Sequence, residues 1–99
     1  MVKYALYARL KAKAGKEKEV VAFLKSALPL VEAEPGTKAW FALSEDSDGA
    51  YSIFDVFEDE AGRDAHLNGA VAKALGEKAA ELFAEAPQIH KVDVLASKL

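Results

Sequence analysis

Two runs of this chain are apolar on both faces of any strand they form. Every position of Ala39-Trp40-Phe41-Ala42-Leu43 is apolar, and one carboxylate alone interrupts Ile53-Phe54-Asp55-Val56-Phe57. An antiparallel sheet with one face in water alternates apolar with polar residues. Here Trp40 and Ala42 point one way, and Ala39, Phe41 and Leu43 the other. Ile53 and Phe57 likewise oppose Phe54 and Val56. Near the C-terminus Val92, Val94 and Ala96 oppose Leu95. Such strands need cover on both sides, which restricts the chain to a layered fold.

The remaining pattern supplies one of those covers. Lys3, Arg9, Lys11 and Lys13 break up the apolar residues from Val2 to Lys13 with a two-residue rhythm, the mark of a first strand. Gly15 ends it and is placed to cap a helix, with Glu17 near the positive helix end. Val20, Leu24, Ala27, Leu28 and Val31 then recur at helical spacing. Pro29 lies inside that stripe and predicts a kink or an early end near residues 25–28. Glu34-Pro35-Gly36-Thr37 reads as a turn. A strand over 37–45, a hairpin loop at Asp46-Ser47-Asp48-Gly49 and a strand over 50–57 follow. A second helical region spans 60–85, broken at Asn68-Gly69 and stopped by Pro87. A last strand covers 89–97. The order is β-α-β, a hairpin, then β-α-β. Each crossover contains a helix, so the two strands of each half can pair in parallel, as in the split βαβ pattern. Helices then cover one sheet face only. The uncovered apolar face predicts a homodimer with two sheets packed face to face. The alternative is that long lysine and arginine side chains from the first strand cover it.

Ninety-nine residues, 52% of them hydrophobic, make one globular domain with little surplus for an internal cavity. A net charge of −3 gives no electrostatic case for nucleic acid. The absence of cysteine excludes thiolate catalysis and cysteine metal sites. The opening residues alternate and do not form a leader's apolar block, and no apolar run is long enough to span a bilayer. A soluble, cytoplasmic protein without membrane partners is expected.

Few residues carry chemistry. His66 lies on the helix after the third strand and titrates near neutrality. It is a candidate proton acceptor for a phenol or enol, or else a histidine that hydrogen-bonds a helix end. Trp40, the one tryptophan, is either the wall of a pocket for a planar ligand or ordinary core. Phe54, Phe57, Phe83, Tyr7 and Tyr51 are candidates for an aromatic lining, or core and interface residues. Asp55, in mid-strand between Phe54 and Val56, needs a partner, for which Arg9 or Arg63 is expected. His90 is read as surface. The two histidines are 24 positions apart without suitably spaced acids, so no metal motif is present. There is no phosphate loop, dinucleotide fingerprint or nucleophile elbow, so no cofactor is expected.

The segments Tyr7-Ala8-Arg9-Leu10-Lys11-Ala12-Lys13-Ala14-Gly15-Lys16-Glu17, Glu34-Pro35-Gly36-Thr37, Ile53-Phe54-Asp55-Val56-Phe57-Glu58-Asp59-Glu60-Ala61 and Ala65-His66-Leu67 resemble the antibiotic biosynthesis monooxygenase family. The resemblance covers nearly the whole chain and implies one such domain over residues 1–99. It implies an α+β, ferredoxin-like βαββαβ protomer with an antiparallel sheet, paired in a dimeric α/β barrel, with a pocket between sheet and helices. Some family members oxidise phenols, anthrones or quinols with molecular oxygen and no cofactor. The resemblance places His66 where the family often has histidine, Trp40 at an aromatic pocket wall, and Asp55 where many members carry an acid. Haem-degrading relatives use asparagine, tryptophan and histidine at places that hold Ala8, His66 and Gly76 here, which argues against that activity. An isomerase relative acts on a phosphorylated sugar. The sequence shows no clear phosphate-binding cluster, although Arg9, Arg63 and Lys73 could assemble one in space.

The resulting expectation is a cofactor-independent monooxygenase acting on a small phenol, quinol or related aromatic. His66 is its catalytic residue, and Trp40, Phe54, Asp55 and Phe83 are its substrate-binding residues. The competing readings are a non-catalytic dimer that binds a small aromatic metabolite, an isomerase, and a structural dimer with a filled core.

Overall fold

The computed structural model describes residues 1–45 and 48–99. Strand β1 spans Tyr4–Lys11, helix α1 Glu17–Glu32, β2 Thr37–Ser44, β3 Ala50–Phe57, α2 Glu60–Leu67, α3 Ala70–Leu82 and β4 Gln88–Asp93. The chain is thus a ferredoxin-like α+β fold with an open four-stranded sheet in the order β2-β3-β1-β4.

Every pairing in that sheet is antiparallel. The parallel pairing expected within each half is not found. The halves interleave: β3 lies between β1 and β2, and β1 lies between β3 and β4. Each helical crossover steps over one strand, and the gap is filled from the other half.

Local chemistry sets most boundaries. Asp59 caps α2, its side chain accepting a hydrogen bond from the Gly62 amide at 2.7 Å. The break at Asn68-Gly69 separates α2 from α3 as the turn-forming pair predicts. Gly15 is not the cap of α1. It takes a left-handed φ of 84° in the preceding turn, and Lys16 occupies the cap position. Nor does Pro29 end α1, which continues to Glu32. The lost hydrogen bond lies on the exposed side of the helix, while Ala27 and Val31 stay buried against Val71. Tertiary burial outweighs the local penalty. The last strand is shorter than its apolar pattern, β4 ending at Asp93. Of the expected hairpin loop, residues 46 and 47 lie outside the described residues.

The register fixes two faces. Leu6, Ala8 and Leu10 of β1 pair with Asp55, Ile53 and Tyr51 of β3, and these face the helices. There Leu10, Ala12, Val20, Leu24, Tyr51, Leu75, Leu82 and Phe83 close the main core. On the opposite face Val2, Ala5 and Val56 form a smaller cluster with Ala39, Phe54, Val92 and Val94. Among the described residues no helix covers that face, and Phe41 and Leu43 are 50% and 44% exposed on it. Helix α2 lies across β1, β3 and β2, whereas β4, at the edge of the sheet, pairs with β1.

Candidate functional site

On the helix-facing side, three charged side chains from three separate elements meet. Asp55 comes from the middle of β3, His66 from the last turn of α2, and Glu34 from the turn after α1. His66 Nδ1 lies 2.6 Å from Glu34 Oε1, and Nε2 lies 3.1 Å from Asp55 Oδ2. Asp55 is 1% exposed and His66 7%. Both ring nitrogens therefore face carboxylates. Burial pushes the imidazole's pKa down, but hydrogen bonds to Asp55 and Glu34, reinforced by their negative charges, outweigh burial and hold it above its ordinary value. The ring is clamped between two carboxyl groups that favour its protonated form.

Each member of the line is fixed by its surroundings. The Phe57 ring, fully buried, packs against the imidazole with centroids 5.6 Å apart. The Thr37 hydroxyl donates to Glu34 Oε1 at 2.7 Å. The turn that carries Glu34 comes close to α2 because both contact points are glycine: a methyl group on Gly36 would reach 3.0 Å from the Gly62 Cα.

Asp55 Oδ2 is taken by His66, but Oδ1 is buried with no hydrogen-bond partner among the described residues. Trp40 stands directly opposite Asp55 on β2, and its indole Nε1 is also buried and unpartnered. A buried acceptor and a buried donor left open at neighbouring positions mark a place for a water or a ligand atom.

Two concavities flank His66. Beneath α2 and α3, an apolar recess of about 40 Å³ is lined by Leu6, Ala8, Leu75 and Ile89, with Asp55 and His66 at its polar end. Ile89, on the edge strand β4, is 48% exposed. On the other side, an outer cleft of about 460 Å³ lies between the end of α1, the turn and α2. Glu34 and His66 are its charged lining residues.

The structure joins His66 to Asp55 and sets Trp40 beside them, where it packs on Ala27, Val31 and Val71. Asp55 does not pair with an arginine. Arg9 bonds Glu45 at 3.6 Å on the uncovered face, and Arg63 lies 5.1 Å over the Tyr4 ring and donates to the Val92 carbonyl. Phe54 points to the uncovered face, away from His66. Phe83 is buried at the far end of the core, where it bridges Ala12. Tyr7 stacks on the exposed His90 on the uncovered face, and Tyr51 belongs to the main core. Glu34 was missed because it reads as part of a turn. Its acid immediately before Pro-Gly, followed by a hydroxyl at Thr37, was the available signal. Among the described residues, no group of three or more potential ligands is arranged to hold a metal ion, and no helix is long and apolar enough to cross a membrane.

The family profile of the antibiotic biosynthesis monooxygenases matches residues 3–86. The chain belongs to that family. As a family member it falls in a monooxygenase-like superfamily. It is similar to a Nitrosomonas europaea protein of unknown function, NE2512, with 54% identity and a TM-score of 0.96. That match covers 100% of this chain and 95% of the other. It also resembles candidate antibiotic biosynthesis monooxygenases of two organisms. For that of Nitrosomonas europaea the identity is 17% and the TM-score 0.82, covering 94% and 90% of the two chains. For that of Caulobacter crescentus they are 23% and 0.74, covering 96% and 92%. At those identities the likeness concerns the fold. No functionally curated protein matches.

Proposed function

We propose that this family member is a cofactor-independent monooxygenase that oxidises a small phenol or quinol with molecular oxygen. The observation that carries the proposal is Asp55, a buried carboxylate with one oxygen held by the His66 ring and the other unpartnered at an apolar recess. The recess has room for the substrate hydroxyl, which donates to Asp55 Oδ1, while the ring stays outside it over the half-exposed Ile89. Because both His66 nitrogens are engaged, His66 orients Asp55, and Asp55 takes the proton. The O–H bond breaks, its electron pair stays on the substrate, and the resulting anion reduces dioxygen at carbon. A C–O bond forms to give a peroxide, the returned proton goes to its outer oxygen, and the ring C–H bond and the O–O bond then break as water leaves, to give a quinone. Trp40 Nε1, a buried and unpartnered donor on the residue that pairs with Asp55, is the donor we assign to a developing oxyanion.

The same proposal includes a homodimer formed by the uncovered sheet faces, through Phe41, Leu43 and Phe54, and a cytoplasmic protein. What supports this reading is that, among the described residues, no helix covers this apolar face, where Phe41 and Leu43 are exposed.

Oxygen consumption is the test, with a panel of phenols, quinols and anthrones and no added cofactor. Consumption above background is expected for the native protein, falling about 100-fold in Asp55→Asn, the scale of a lost general base. Native protein that consumes no oxygen with any panel member, or an Asp55→Asn variant as fast as native, overturns the proposal. A non-catalytic aromatic-binding dimer is then the reading that stands.

A further inference from the structure

The outer cleft faces Glu34 and has no part in the oxidation just described. At about 460 Å³ it falls in the range of small-molecule sites, whereas the recess behind His66, at about 40 Å³, is far smaller. Pro29, Leu30, Ala33, Pro35, Ala65 and Ala70 give it apolar walls. Its polar end is Glu34, 20% exposed at the side chain. Glu34 Oε1 receives both the His66 ring and the Thr37 hydroxyl, while Oε2 has no hydrogen-bond donor among the described residues. Gly69 lies against that second oxygen, and a methyl group there would come within 3.1 Å of it. The missing Cβ keeps Oε2 open to the cleft.

The charges decide what such a cleft accepts. No lysine or arginine lines it. Behind Glu34 stand the His66 ring and a second carboxyl group, that of Asp55, so the line of three sets two acidic side chains against one basic one. The C-terminal end of α1, which borders the cleft, carries partial negative charge and no basic residue in its last turn. The start of α3 at Ala70 has the opposite sign, and Lys73 stands in its first turn, but Lys73 is not among the residues that line the cleft.

We infer that the outer cleft is a second ligand site, for a small apolar molecule bearing a primary ammonium or similar cationic hydrogen-bond donor, which is read by Glu34 Oε2. The site is coupled to Asp55. A cation on Glu34 competes with the His66 Nδ1–H for the same carboxylate and weakens the clamp on the imidazole. Occupancy outside is therefore felt at Asp55 through one ring. The inference does not depend on the oxidation reading, because its readout is binding.

The test is amide and histidine-ring NMR of the native protein titrated with benzylammonium, benzyl alcohol and benzoate. Saturable shifts are expected at Ala33, Ala65, Ala70 and the His66 ring with benzylammonium, at least about 10-fold tighter than with benzyl alcohol, and none with benzoate. Glu34→Gln is expected to lose that preference. Because Glu34 also anchors His66, Ala65→Leu serves as a second variant. It fills the cleft without touching the Glu34–His66 contact, and it is expected to abolish binding while leaving the His66 signals native. Three results each overturn the site: no saturable shift with benzylammonium, equal binding by Ala65→Leu, or benzoate binding as tightly as benzylammonium.

Discussion

At the residue scale, His66 is governed by what touches its two nitrogens. A lone histidine in a helical run gives no sign of its charge state. Glu34, 32 positions earlier, and Asp55, 11 positions earlier, set it. The folded imidazole binds its proton more tightly than the unfolded one, whose ordinary value is 6.5. Its contribution to stability is then fully present below pH 6.5 and is lost as pH rises through the higher folded value. Urea unfolding at pH 6 and pH 8 is expected to give a higher midpoint at pH 6. His66→Ala should shrink that difference and lower stability by about 3–5 kcal/mol, because it leaves the buried Asp55 charge without its partner. A native profile that is flat between the two pH values would refute the raised pKa of the clamped ring. Sequence reading selected His66 and Asp55 by rarity and by context, and it gave Asp55 the wrong partner. A buried acid in a strand announces that a cation is near, but its identity depends on which helix turn lies overhead.

At the element scale, glycine acts in two opposite ways. Gly36 and Gly62 let the Glu34 turn rest on α2, with no room for a side chain between backbones. Gly76 lies in α3 with nothing within 4 Å of where a Cβ would be. Gly36→Ala is expected to cost about 1–3 kcal/mol by forcing backbone against backbone, and to loosen the Glu34–His66 contact. Gly76→Ala should stabilise by about 1 kcal/mol, from helix propensity alone. Thermal unfolding of the two variants separates the cases, and two shifts of the same sign would show that the contact at Gly36 is slack. The helices and strands themselves were legible from apolar spacing, and so was the break at Asn68-Gly69. Pro29 misled because its local penalty was weighed without the buried contacts of Ala27 and Val31 on either side of it.

At the scale of the whole molecule, the uncovered sheet face is the dominant unfinished surface. Phe41→Asp places a charge at its exposed edge, 50% accessible in the protomer, without entering the helix-side core. If the faces pair, light scattering should show the native protein at twice the protomer mass, and the variant at the protomer mass with native circular dichroism. A native protein already at protomer mass would count against the dimer. The two-faced apolarity of the strands was visible in the residue order, because side chains alternate with a period of two whatever the sheet becomes. The same periodicity, with the helical stripes and turn residues, determined the element order and the ferredoxin-like class. Strand neighbours were a different matter: local pattern is blind to whether β1 pairs with β2 or admits β3 between them, since both choices bury the same stripes. The site depended on that choice. Only with β3 in the interior and α2 laid over it does Asp55 come under His66, and only with glycine at both contacts does the turn bring Glu34 to the other side of the ring. Charge states and cavities arise from through-space contacts between distant segments, and these the tertiary structure alone decided.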